Sequence, residues 1–252
     1  MPRFALVLEY DGTRFHGFQT QGPRRTVQSV LEAAIAKRTG APARVTPAGR
    51  TDAGVHALAM VASFECATAI PGPAFAPALN TLLPPDVRVL ASSAAREGFD
   101  ARRDCRWRAY RYRILNRAAP SALERDRTLW HPRPLAEARM HRAAQLLLGP
   151  QDFAALATRH EASTVRTIHF AEAYREREEV VLRIAGNGFL RHMVRAIIGS
   201  LLLIGRGERE PEWLGEALAA RHRSAAGPNA APQGLYFEQA GYAPWPEAGS
   251  WS

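Results

Sequence analysis

Lysine is almost missing from this chain of 252 residues: Lys37 stands alone, so arginine supplies nearly all of the 33 basic side chains. Arginine's planar fork matches phosphate bidentately where an ammonium offers a point charge. Cysteine is scarce as well. Cys66 and Cys105 show neither a CxxC pair nor Cys/His ligand spacing, which excludes a disulfide framework and predicts two reduced, partly buried thiols. Long apolar runs are lacking, since the longest candidate, Ala196 to Ile204, is half of the ~20 residues a membrane span needs. The opening MPRFALVLEYDG is broken by Glu9 and Asp11 before a signal-peptide core can form, so a reducing cytoplasm and no membrane partner are expected. There is no GxxxxGK[ST], HExxH or GxSxG, and Gly186-Asn187-Gly188-Phe189-Leu190-Arg191 fails GxGxxG at its last glycine. Nucleotide-driven, hydride and serine-hydrolase chemistry are therefore unsupported, and no metal site is predicted.

What is present is ordinary globular composition, 46% apolar and 23% charged, in a chain long enough for one large or two small domains. The formal charge is +9, a field that attracts polyanions. Eight arginines (96, 102, 103, 106, 108, 111, 113 and 117) against Glu97, Asp100 and Asp104 put +5 into one short stretch, interleaved with Phe99, Trp107, Tyr110 and Tyr112. Composition alone supports a solvated arginine-rich surface and a nucleic-acid partner equally.

Periodicity predicts alternating strands and helices. Phe4, Leu6, Leu8 and Tyr10 alternate up to the turn Asp11-Gly12; Thr26 caps a helix with an apolar face of Val27, Val30, Leu31, Ala34 and Ile35, stopped by Gly40. A strand near Arg44 to Thr46 leads into Gly49 to Gly54, after which Leu58, Met60, Ala62 and Phe64 alternate again. Ala69 to Ala78 reads as irregular, Ala78 to Leu83 as a short helix, Val87 and Val89 as opening a strand, and Arg106 to Leu115 as a strand with Arg108, Tyr110, Tyr112 and Ile114 on one face. Further helices are expected at Leu135 to Leu148, Phe189 to Ile204 and Pro211 to about Arg221, and strands near Thr167 to Tyr174, Val180 to Ala185 and Leu235 to Gln239. The reading is an α+β protein of two similar halves without a residue-level repeat, divided into residues 1–105 and 106–252.

The turn Gly49-Arg50-Thr51-Asp52-Ala53-Gly54-Val55-His56-Ala57 lies between two of these strands. Its glycines permit a sharp bend and close approach, with Asp52 at the tip. An aspartate so placed can be an Asx-turn or helix cap. Alternatively, Arg50 beside it keeps a carboxylate ionised and nucleophilic.

The run GRTDAGVHA resembles, without a mismatch, the active-site motif of the TruA family of tRNA pseudouridine synthases. EYDGTRFHGFQTQ, TVQSVLEAAI, ALNTLLPPDV, FDAR, YRYRI, MHRAAQLLLGPQDF, GNGFLRHMVRAIIGSLLLIGRG and QGLYF agree in order and spacing, from about Phe4 to Phe237. The resemblance implies two ferredoxin-like or RRM-like halves in a pseudouridine-synthase fold, mainly antiparallel, with a central cleft. It implies a cofactor-free isomerase that detaches uracil from its sugar and rejoins it through carbon 5 at positions 38, 39 and 40 of the anticodon stem-loop, acting as a homodimer on tRNA. Asp52 matches the catalytic aspartate, Tyr110 a tyrosine expected to stack on the target base, and Arg195 an arginine paired with that aspartate. Arg50 matches an arginine that holds the flipped nucleotide, and Leu235 an apolar residue beside the base. No role is implied for His56, while His192 and Tyr112 read as structural. Arg14, Arg24, Arg25 and the cluster before Arg117 are expected to meet phosphates. Two departures from the family pattern are Asp100, where His is frequent, and a shortened segment from Ala157 to Ile168.

Overall fold

In chain order the elements are β1 (Arg3–Tyr10), α1 (Val27–Thr39), β2 (Thr46–Pro47), β3 (His56–Glu65), α2 (Phe75–Asn80), β4 (Val87–Ala95), β5 (Trp107–Leu115), β6 (Leu129–Trp130), α3 (Glu137–Gln145), β7 (Gly149–Asp152), β8 (Val165–Glu176), β9 (Glu179–Gly186), α4 (Met193–Gly205), α5 (Trp213–Ala220) and β10 (Leu235–Gly241). These are seen in a computed structural model, which describes residues 1–158 and 163–245. The architecture is α+β and its strand pairs are mostly antiparallel, with β10 on β3 and β6 on β5 as parallel exceptions. Contacts divide the chain into two compact units: one from Met1 to Arg108 together with the chain from Tyr236 on, the other from Ala109 to Leu235.

In the first unit the alternation of β1 buries Phe4, Leu6, Leu8 and Tyr10, and the strand lies between β3 and β4. α1 starts and stops where its sequence dictates. Thr26 and Ser29 form a reciprocal capping box, and Gly40 ends the helix with φ 76°, a left-handed conformation that costs glycine little. Val27, Leu31, Ala34 and Ile35 are buried as expected, but Gln28 replaces Val30 on the buried face because its amide reaches the Val45 carbonyl at 3.2 Å.

The expected alternation from Leu58 fails at its first member. Leu8 pairs with Met60 but Tyr10 with Ala57, so β3 carries one extra residue, and Leu58 turns out to solvent. β4 has a matching irregularity, Val7 facing Ala91 and Leu8 facing Val89, and Leu90 is likewise exposed. The first bulge buries the consecutive residues His56 and Ala57 at the foot of β3, directly after the Asp52 turn. Two smaller corrections concern proline. The strand expected at Arg44 to Thr46 is the short β2 at Thr46–Pro47, and the helix expected at Ala78 to Leu83 is α2 at Phe75–Asn80. Pro77 falls in its first turn, where no intrahelical donor is lost.

In the second unit β5 neighbours β9, followed by β8 and β7. Gly149-Pro150, expected only to end a helix, instead begins β7 against β8. α3 and α4 meet where Gly205 leaves room: a Cβ there would lie 2.5 Å from the Met140 sulfur. α4 begins at Met193 rather than Phe189, because His192 at its N-cap is left-handed, with φ 62°. Its Nδ1 lies 2.9 Å from Thr158 Oγ1. Among the described residues no helix is long and apolar enough to cross a membrane.

Candidate active site

Backbone hydrogen bonds run through the Asp52 turn and around it. Within it the Val55 amide donates to the Asp52 carbonyl at 3.2 Å. The loop after β1 then clasps it: the Phe18 amide donates to the Thr51 carbonyl at 3.1 Å, and the Gly54 amide to the Phe15 carbonyl at 3.3 Å. At the end of β1, the Tyr10 hydroxyl is 2.8 Å from Thr51 Oγ1. Close approach explains two glycines. A Cβ on Gly12 would stand 2.0 Å from the Val55 carbonyl oxygen, and one on Gly17 would stand 2.7 Å from that of Thr51 at a φ of +85°. Asp52 is half-buried and Arg50 exposed, so a fixed backbone presents both at the surface of the first unit.

Two residues given no catalytic meaning in the sequence hold this turn. His56 is 2% exposed; its Nδ1 accepts the Gly12 amide at 3.0 Å and lies 3.3 Å from Asp11 Oδ1. The ring stacks on Tyr236, 4.8 Å between centroids and 25° between planes. Arg108 fastens the other flank: Nε and Nη2 donate to the Ala48 carbonyl at 3.1 and 3.0 Å, and Nη1 to that of Cys105 at 2.9 Å. Motif membership signalled His56, whereas the only signal for Arg108 was charge, which suggested phosphate.

Tyr110, Arg195 and Leu235 belong to the second unit. Tyr110 is buried on β5, edge-on to Phe189 with centroids 5.0 Å apart and planes at 81°. Phe189 therefore has another role than the helix stripe expected of it. Arg195 stands on the first turn of α4. Its Nε donates to the Ala230 carbonyl at 2.8 Å, while the Ala230 amide returns a bond to the Arg195 carbonyl at 2.9 Å. The 227–230 segment lies so close to α4 that a Cβ on Gly199 would be 1.6 Å from the Pro228 carbonyl oxygen. Leu235 is buried at the start of β10. Tyr112 is fully buried, its hydroxyl donating to the Ala231 carbonyl at 2.8 Å; burial pushes its pKa up, against a smaller opposing pull from Arg195. The structural reading of Tyr112 holds.

The arginine-rich stretch is less free than its sequence charge implies. Arg111, Arg113 and Arg117 pair with Glu176, Glu179 and Glu178 at 3.4, 2.6 and 2.7 Å, and Arg96 with Asp104 at 2.7 Å. Arg25 is similarly committed, bidentate to Asp86 at 2.8 Å for both bonds and 4.0 Å above the Phe15 ring. Arg14 and Arg24 are exposed. Asp100 Oδ1 accepts the Arg102 and Arg103 amides at 2.9 and 2.8 Å, an ordinary turn-capping role. Of the segment from Ala157 to Ile168, residues 159–162 lie outside the described residues. Among the described residues no group of three or more His, Cys, Asp or Glu is placed to hold a metal ion.

A family model described as tRNA pseudouridine synthase matches residues 6–102 and 143–243. A protein of Methylococcus capsulatus named tRNA pseudouridine synthase A is 43% identical over 93% of this chain and 88% of its own. Proteins of the same name from Myxococcus xanthus and Coxiella burnetii are 42% and 41% identical, over 98% and 97% of this chain and 95% and 94% of theirs. Among solved structures, a chain of the archaeal box H/ACA sRNP Nop10-Cbf5 complex aligns with 79% of this chain at 12% identity and a TM-score of 0.31, too distant to bear on the site.

Proposed function

This chain belongs to the tRNA pseudouridine synthase family, and on that premise we propose that it isomerises uridines 38, 39 and 40 of the anticodon stem-loop with Asp52 as the catalytic carboxylate and no cofactor. The observation that carries the reading is the Asp52 turn itself: a family motif fixed by hydrogen bonds from the loop after β1, with a half-buried carboxylate at its tip. The reaction breaks the bond between C1′ and N1, turns the uracil, and forms a bond between C1′ and C5. The C5 proton leaves to solvent and N1 regains one. An ionised carboxylate serves such a step by attacking C1′ or by stabilising cation-like character there, as carboxylates do in glycoside cleavage.

In this proposal Arg195 pairs with the Asp52 carboxylate, Tyr110 stacks on the extruded base, Leu235 packs beside it, and Arg50 holds the nucleotide in its flipped position. Stacking offsets the few kcal/mol that unstacking costs. Two copies of the chain share one tRNA in the cytoplasm, and exposed arginines such as Arg14 and Arg24 meet its phosphates. The test is to incubate the purified protein with unmodified tRNA tritiated at uridine C5, without metal or nucleotide, and to map the product. Tritium release with pseudouridine at 38–40 is expected; release mapping to other nucleotides contradicts the assigned positions, and no release contradicts the activity.

A further inference from the structure

Among the described residues of the first unit is a half-open cavity of about 390 Å³ lined by Arg96, Phe99, Arg103, Asp104, Cys105, Arg106 and Tyr242. That volume is at the small end of ligand pockets, room for one nucleotide rather than for a larger cofactor. Three guanidiniums against one carboxylate leave the rim at +2, since burial raises the pKa of the Cys105 thiol and keeps it neutral. Arg96 and Arg103 share Asp104, at 2.7 and 3.3 Å, yet their side chains remain 68% and 69% exposed. Arg106 is also exposed.

The aromatic wall is Phe99 against Tyr242, centroids 5.2 Å apart, with the Arg96 guanidinium 6.0 Å from the Phe99 centroid. These walls are fixed. The Tyr242 hydroxyl donates to the Ala101 carbonyl at 2.8 Å, the Ala101 amide donates to Ser63 Oγ at 3.0 Å, and the Asp100 amide donates to Asp104 Oδ2 at 3.1 Å.

Guanidiniums around an aromatic pair, one of them over the Phe99 ring, in a groove of nucleotide size are the chemistry that binds single nucleotides of an RNA strand: phosphate on guanidinium, base on ring. We propose that this cavity binds one nucleotide of the tRNA substrate away from the reacting uridine, a second anchoring site; the identity of the RNA rests on the function proposed above. Its place in the unit supports a long ligand. Ser63 is near the far end of β3 from His56 and the Asp52 turn, and the seven steps from His56 to Ser63 span roughly 20 Å at the usual rise of a strand. A mononucleotide in the cavity cannot touch Asp52, whereas one RNA can reach both.

The experiment compares tRNA binding by the wild type, Arg103→Gln/Arg106→Gln and Arg106→Gln alone across a salt series, alongside steady-state turnover. Each lost phosphate contact flattens the dependence of log affinity on log salt by about 1. The double variant is expected to bind about ten-fold more weakly with a slope shallower by 1 to 2, the loss falling on Kd and KM rather than on kcat. Should the double variant misfold, Arg106→Gln decides, because it leaves both Asp104 pairs intact and is expected to flatten the slope by about 1. Unchanged affinity and slope in folded variants overturn the proposal, as does a loss confined to kcat. If the wild type forms no pseudouridine in tRNA while binding still depends on these arginines, the activity falls and the RNA site stands.

Discussion

At the scale of single residues, the Asp52 turn depends on atoms that are absent. Gly17 combines a left-handed φ of +85° with a Cβ position 2.7 Å from the Thr51 carbonyl oxygen. Gly17→Ala is therefore expected to cost on the order of 1 to 3 kcal/mol, from backbone strain and displacement of the turn. Thermal unfolding and single-turnover rates measured together check this, with both falling; a variant of wild-type stability and rate contradicts it. His56 has a comparable place. Its role was not legible from the sequence, because nothing near it in the chain reveals that its Nδ1 meets the amide of Gly12. The motif marked the residue, and only the folded loop showed what it holds. That Asp52 and Arg50 share one turn was legible for the opposite reason, because both lie within a short stretch whose glycines announce a bend.

At the scale of elements, local signals served where the interaction is local. The capping box of α1 joins residues three apart, and Gly40 ends the helix by its own conformation. Thr26→Ala removes that cap and is expected to cost about 1 kcal/mol, a fall in Tm of about 2–4 °C for a chain of this size. A scan of the two proteins under one buffer checks it, and equal midpoints contradict it. Signals failed where the cause is distant. Leu58 leaves the apolar face because β1 sets the register of β3, and no periodicity in β3 alone encodes that bulge. α4 was expected to begin at Phe189 because its stripe extends that far, but the left-handed His192 interrupts the backbone before the stripe does.

At the scale of the whole molecule, the +9 charge is unevenly available. Three of the eight arginines of the rich stretch are matched by Glu176, Glu178 and Glu179, some sixty residues on, and so serve structure. A count of charges along the chain cannot see such pairing. Burial has a further global consequence, since it raises the pKa of the Cys105 thiol and of the Tyr112 and Tyr242 hydroxyls above their ordinary 9.0 and 10.0. The unfolded chain gives up these protons first, so their contribution is complete below about pH 9 and is lost as pH rises. Tm is expected to fall from about pH 9 upward, and less steeply in Tyr112→Phe, which has no such proton to lose. Identical alkaline slopes for the two proteins contradict this.

The central claim is that Asp52 performs the chemistry rather than the binding. The most direct measurement is single-turnover tritium release from tRNA by Asp52→Asn, which keeps the shape of the turn and removes its charge, with tRNA affinity measured on the same sample. No detectable release with affinity within a few-fold of wild type is the predicted result. Robust release by Asp52→Asn contradicts the account.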